Sequence, residues 1–202
     1  AAHPLDDYLR EIKNFTSTGL SSLNDLNRII NKDLYVGGII NEVEHLQTKT
    51  GNGFAVFSFE DFNDQYQFRI FGEDYLKYKH LLEENKILRL RISIREGWVN
   101  RETGRVGDPR IQFLNMELLD GIIDSSSKKI TIKIDSSTLN LDEVKKLKKI
   151  FSKHKGSKPV YFDILDTNNE IKLNMISQQT KVSITKDLLK SLEKEEFSYK
   201  LN

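Results

Sequence analysis

The stretch DLYVGGIINEVEHLQTKTGNGFAVFSFEDFNDQYQFRIF, residues 33–71, decides how this chain is read, because strand alternation, glycine placement and outward aromatic and basic residues coincide in it. It opens a longer run, residues 33–119, with five apolar alternations in order. These are Leu34, Val36, Gly38 and Ile40; Ala55, Phe57 and Phe59; Tyr66, Phe68 and Ile70; Leu88, Leu90, Ile92 and Ile94; and Ile111 with Phe113. A period of two marks half-buried strands. Between the third and fourth, residues 72–82 (GEDYLKYKHLL) change to helical spacing, which predicts Tyr75, Leu76, Tyr78, Leu81 and Leu82 on one stripe. Five strands with one helix inserted there predict a β barrel, a five-stranded Greek-key barrel of the oligonucleotide-binding (OB) type, whose helix plugs the open end. Gly37 and Gly38 lie in a first strand long enough to bend, and Gly51 and Gly53 suit a tight first loop.

The rest of the 202 residues bounds the function loosely. Lys and Arg number 31 against 30 Asp and Glu, a formal net charge of +1, so contact with nucleic acid has to come from local clustering. There is no cysteine, hence no disulfide framework or thiolate metal site. The sequence holds no apolar run of about 18 residues for a membrane span, and residues 1–10 (AAHPLDDYLR) lack the apolar core of a signal peptide. The expectation is a cytoplasmic protein with no membrane contact, and, since it begins with Ala, a fragment of a longer one.

Two flanking segments complete the chain. Residues 1–32 read as a helical leader: Pro4 suits the first helical position, Asp6 and Asp7 face the positive end of the helix dipole, and Leu5, Tyr8, Leu9 and Ile12 follow helical spacing. The barrel is expected over residues 33–121. Residues 121–129 (GIIDSSSKK) read as a linker, and residues 128–202 as a small α+β domain. There, a strand at 129–134 precedes a helix capped by Thr138 or Asn140, with Val144, Leu147, Ile150 and Phe151 on one face and Gly156 at its end. A hairpin follows over 159–165 and 171–176, then a short strand at 182–184 and a last helix carrying Leu188, Leu189 and Leu192. The closing segment, residues 193–202 (EKEEFSYKLN), reads as one that orders on a partner.

Barrels of this type hold single strands on the face of strands two and three, between the first loop and the loop joining strands four and five. With Ala55, Phe57 and Phe59 inward, the outward set is Phe54, Val56 and Ser58, with Gln65, Gln67, Arg69 and Phe71 on the third strand. The flanking loops add Lys49, and Arg95, Trp98, Arg101, Arg105 and Arg110 around residues 97–109. Aromatic faces interleaved with cations suit sequence-tolerant binding, because every base offers a π face and every phosphate a charge. The plainer alternative is solvated arginines and aromatics packed on a neighbouring segment. No catalytic constellation stands out, and no cofactor is expected: His3, His45, His80 and His154 lack metal-ligand spacing, and Asp61 with Asp64 suits turn chemistry. Lys145, Lys146, Lys148, Lys149, Lys153 and Lys155 crowd one helix, either as a solvated face or as a patch for an acidic partner.

The segments AHPLDDY (residues 2–8), VGGIINEV (36–43), KTGNGFAVFSFED (49–61) and YQFRIFGEDYL (66–76), with the strand, helix, hairpin and helix after them, resemble the carboxy-terminal part of the alpha subunit of bacterial DNA polymerase III. In that family a Gly-His-Pro-Leu-type motif leads into the barrel; Ala2 stands here at the glycine. The barrel motif is shared with anticodon domains of aspartyl- and lysyl-type tRNA synthetases. The resemblance implies a non-catalytic module bound to the rest of the polymerase chain, with the barrel near single-stranded DNA and the last domain on the clamp-loader tau subunit. It also places the catalytic carboxylates and the internal clamp-binding motif upstream of these residues. Two other readings compete. A tRNA anticodon-binding module needs a synthetase domain after the barrel, for which the tail is too short. A pure protein-interaction scaffold would bind no oligonucleotide in a salt-sensitive way.

Overall fold

The computed structural model describes residues 3–202, so Ala2 lies outside the described residues. The chain is mixed α+β and divides into two compact units, the first ending at Asp120 and the second beginning at Gly121. Each has its own sheet.

In the first unit β1 (Asp33–Gln47), β2 (Gly53–Glu60), β3 (Gln65–Phe71), β4 (Ile87–Arg95) and β5 (Arg110–Leu118) form one antiparallel sheet in the order β3-β2-β1-β4-β5. The fourth strand returns beside the first, which is the Greek-key connection. β1 is long enough to serve both halves: residues 33–39 pair with β4 and residues 39–47 with β2. The switch needs a close backbone approach at Gly38, where an added Cβ would lie 2.3 Å from the Glu60 carbonyl oxygen. Only glycine fits there without moving β2.

The expected barrel does not close. Among the described residues no backbone pairing joins β3 to β5; the two edges meet through side chains, with the Phe68 and Phe113 rings 5.7 Å apart. Phe57, Phe59 and Phe68 are fully buried between them, alongside Val36, Leu88, Leu90 and Ile92. Burial of each such side chain contributes about 1.5–3 kcal/mol, so the apolar interior holds the curl in the absence of a closing ladder.

Two bulges shift the alternation. Asn41 is the extra residue of β1 against β2, and Leu114 that of β5 against β4. The second explains why Phe113 and Met116, three apart, are both buried. The inserted helix α2 (Gly72–Tyr78) continues as a 3-10 turn over Lys79–Leu81. Tyr78 and Leu82 are buried, whereas Leu76, expected on the same stripe, is 62% exposed, because the helix is short and only one flank meets the sheet.

The leader is less regular than its spacing predicts. Pro4 precedes a 3-10 turn at Asp6–Tyr8, and α1 begins only at Leu9 (Leu9–Phe15). The change of pitch leaves Leu9 54% exposed, while Leu5, expected on the apolar stripe, is buried together with Phe15. Two further 3-10 turns follow: Leu20–Asn24 buries Leu20 and Leu23 in the core of the sheet, and Leu26–Ile29 packs Leu26 and Ile29, partly buried, against it. Polar ties fix the leader: Asp61 Oδ2 accepts from the Leu20 amide at 2.7 Å, and Ser17 exchanges hydrogen bonds with the Tyr35 backbone. Arg89 on β4 bonds Glu117 on β5 at 2.5 Å, lies over the Tyr35 ring and donates to the Phe15 carbonyl.

The second unit begins with α3 (Ile122–Ser126), so the serine-rich stretch read as a linker folds, with Ile122, Ile123 and Ser127 buried. Its sheet has the order β8-β7-β6-β9, built from β6 (Ile130–Asp135), β7 (Lys155–Asp166), β8 (Ile171–Val182) and β9 (Ser198–Leu201). The helices are α4 (Leu141–Lys153), which links the parallel β6 and β7, and α5 (Lys186–Lys194). Asn140 is the cap of α4, accepting from the Asp142 and Glu143 amides at 3.0 Å, and Thr185 caps α5. α4 ends at Lys153 and Gly156 belongs to β7, where its bare Cα lets the Val182–Ser183 backbone pass. The fourth strand is not at 182–184. The closing residues supply it as β9, antiparallel to β6, so this part of the tail is ordered within the unit without a partner. Among the described residues no helix is long and apolar enough to cross a membrane.

Candidate nucleic-acid interface

Register places the outward residues of β1, β2 and β3 in rows across the sheet. Leu46, Phe54 and Phe71 form one row, Glu44, Val56 and Arg69 the next, and Glu42, Ser58 and Gln67 the third. Phe54 and Phe71 lie with ring centroids 5.0 Å apart and planes 17° from parallel, and Phe71 is 52% exposed. Val56 is half-buried, and Arg69 and Gln67 are exposed. The local cause is the pleat: the same alternation that buries Ala55, Phe57, Phe68 and Ile70 turns these side chains out. Ser58, expected among the outward polar residues, is buried under Gln65, whose side-chain amide donates to it.

The loop residues separate into two places. Lys49 is exposed in the tight β1–β2 turn, where Thr48 Oγ1 accepts from the Asn52 amide and Gly51 takes φ +83°. In the β4–β5 loop, a bridge between Val99 and Val106 makes a small hairpin with Arg101 and Arg105, both exposed, near its tip. Arg110 lies 4.2 Å over the Trp98 ring, a cation–π pair whose indole is 76% exposed. No hydrogen bond or ring contact among the described residues joins this hairpin to the β2–β3 face. Arg95 differs from the expectation: it is half-buried and its Nε donates to Gln112 Oε1 at 3.2 Å, so this donor is already engaged.

Reading strands two and three alone missed the β1 side of the face. Glu42, Glu44 and Leu46 complete each row, and with Glu84 the two glutamates line a hollow of about 450 Å³ beside Val56 and Gln67. Neither Glu42 nor Glu44 forms an ion pair among the described residues. The remaining candidates take structural roles. Asp61 Oδ1 accepts from the Asn63 and Asp64 amides at 2.8 Å, the turn chemistry expected. His45 ties β1 to α2 through Tyr75 Oη, and to the end of the following 3-10 turn through the Leu82 carbonyl. No group of three or more metal-ligating side chains occurs among the described residues. On the lysine-rich helix, Lys146 pairs with Glu195 at 2.8 Å; the other lysines of α4 are exposed.

Residues 130–202 match the family model described as DNA polymerase III alpha subunit, C-terminal domain. Among curated relatives, the DNA polymerase III subunit alpha of Borreliella burgdorferi is 28% identical over 182 residues, 88% of this chain and 15% of its own. That of Bacillus subtilis is 25% identical over 173 residues, 85% of this chain and 14% of its own. That of Pseudomonas aeruginosa is 20% identical over 191 residues, 94% of this chain and 15% of its own. An aspartyl-tRNA synthetase structure from Leishmania major covers 67% of this chain and 26% of its own at 13% identity and a TM-score of 0.34, too distant a likeness to carry an argument. The matched relatives thus fall in one class, the alpha subunits of DNA polymerase III. The chain is similar to the C-terminal region of the DNA polymerase III alpha subunit, and it spans about one seventh of those relatives' length.

Proposed function

We propose that this chain is a non-catalytic, cytoplasmic module of a replicative DNA polymerase that binds single-stranded DNA on the outer face of β2 and β3, through an open form of the OB fold, and the clamp-loader tau subunit through residues 128–202. The observation that carries the DNA reading is the near-parallel Phe54–Phe71 pair, with Phe71 exposed and Phe54 half-buried, and Arg69 in the next row. A base slides onto such a ring whatever its identity, and a guanidinium beside it meets the phosphate. The Greek-key order and the helix between β3 and β4 support the OB reading. Lys49, Arg101, Arg105, Arg110 and Trp98 extend the face on this reading. The tau contact follows from the resemblance, and the separateness of the second unit is compatible with it.

The test is fluorescence anisotropy of the whole chain with labelled oligo(dT) across salt concentrations. Binding that weakens steeply with salt is expected. Salt-insensitive or absent binding of every oligonucleotide leaves the interaction-scaffold reading instead. The repurified chain should catalyse no nucleotidyl transfer.

A further inference from the structure

The face is not uniformly basic. In the middle row the charge changes sign, from Glu44 on β1 past Val56 on β2 to Arg69 on β3, and the row below carries Glu42 beside the neutral Ser58 and Gln67. With adjacent strands about 4.8 Å apart, the carboxylates of β1 and the guanidinium of β3 belong to backbones about 10 Å from each other, roughly the reach from a phosphate to the far edge of its base. Glu42 and Glu44 are exposed, and with Glu84 they wall the hollow beside Val56. A phosphate brought to that wall is repelled, whereas at Arg69 it is attracted.

Resting on the reading above, we propose that this charge split orients the strand and gives the face a base preference. The backbone runs along β3 past Arg69, the base lies over Val56 and the Phe54–Phe71 pair, and its outer edge meets Glu42 and Glu44. A carboxylate only accepts hydrogen bonds at neutral pH, so it favours bases whose edge carries an exocyclic amine, as cytosine N4 and adenine N6 do. Thymine presents a carbonyl oxygen where cytosine presents that amine, and it meets the carboxylate as a like partial charge. The glutamates thus act as specificity-determining residues, discriminating by repulsion of one base as much as by attraction of another.

The experiment compares oligo(dC) and oligo(dT) of equal length at pH 7.5, for the whole chain and for the double variant Glu42→Gln with Glu44→Gln. The expected result is tighter binding of oligo(dC), by about three- to tenfold. The variant should bind oligo(dT) more tightly than the unaltered chain does and lose the preference. Both substitutions are at exposed positions, and a circular dichroism spectrum shows that the fold is kept. Equal binding of the two oligonucleotides by the unaltered chain overturns the base preference and leaves single-strand binding standing. A variant that tightens both equally also overturns it, because the glutamates would then act only as a nonspecific repulsive charge. Failure of both oligonucleotides to bind overturns the preference together with the single-strand reading.

Discussion

Phe54 on β2 and Phe71 on β3 stand directly opposite each other in the ladder, rings 5.0 Å apart and 17° from parallel, on the side of the sheet that faces away from its core. Phe71 is 52% exposed, and a ring left that open gains little by folding alone. Replacing Phe71 by Ala should therefore leave the urea midpoint nearly unchanged while weakening oligonucleotide binding by about 1–3 kcal/mol for each base stacked on it. Unaltered binding by Phe71→Ala and Phe54→Ala alike would remove this face from consideration.

The β4–β5 hairpin is expected to act through charge. Arg101 and Arg105 are exposed near its tip. Changing both to Ala should lower the slope of log K against log salt by about 0.7 for each phosphate the hairpin no longer neutralises. The measurement is anisotropy at four or more salt concentrations, and a slope that stays put assigns these arginines to solvent.

Gly38 is the steric hinge of β1. In Gly38→Ala the new methyl collides with the Glu60 carbonyl, and the strand cannot serve both β2 and β4 without shifting one of them. A loss of about 1–3 kcal/mol is expected, as for overpacking elsewhere in protein cores. Chemical denaturation measures it; a variant as stable as the parent would show that the ladder bends freely there.

A pH effect is expected in the second unit. The Lys146 ammonium, hydrogen-bonded to Glu195 at 2.8 Å, holds the Glu195 carboxyl below its ordinary value of 4.5, and Glu195 in turn raises Lys146 above 10.5. The depressed carboxyl contributes stability above its unfolded pKa and loses it as pH falls through the lower folded value. The raised ammonium contributes below its unfolded pKa and loses it as pH rises through the higher folded one. The tie between α4 and the residue after α5 is thus fullest between those limits. In Lys146→Ala the Glu195 resonance should titrate closer to 4.5 by NMR. An unmoved titration would mean that the pair is not populated in solution.

Truncation after Asp120 separates the two units. The shortened chain should retain oligonucleotide affinity and fail to capture tau in a pull-down. Loss of most DNA affinity would instead draw the exposed lysines of α4 into the interface.

The sequence by itself determined the elements that rest on local rules. Period-two alternation marked all five strands of the first sheet, and a side-chain oxygen next to a helical repeat marked the start of α4, because pleat and cap chemistry act over two to four residues. The outward set Phe54, Val56, Gln67, Arg69 and Phe71 was legible for the same reason. Tertiary structure alone decided what depends on residues far apart. Whether β3 meets β5 by a ladder or only through Phe68 and Phe113 is set by how the whole sheet curls over its core. The residues 198–201 become β9 because the edge of β6 is open beside them. On β1, Leu34, Val36 and Ile40 turn toward the core, yet Glu42, Glu44 and Leu46, still even-numbered, turn away from it. Asn41 is a bulge that exists only against β2, and one extra residue in a strand exchanges its two faces.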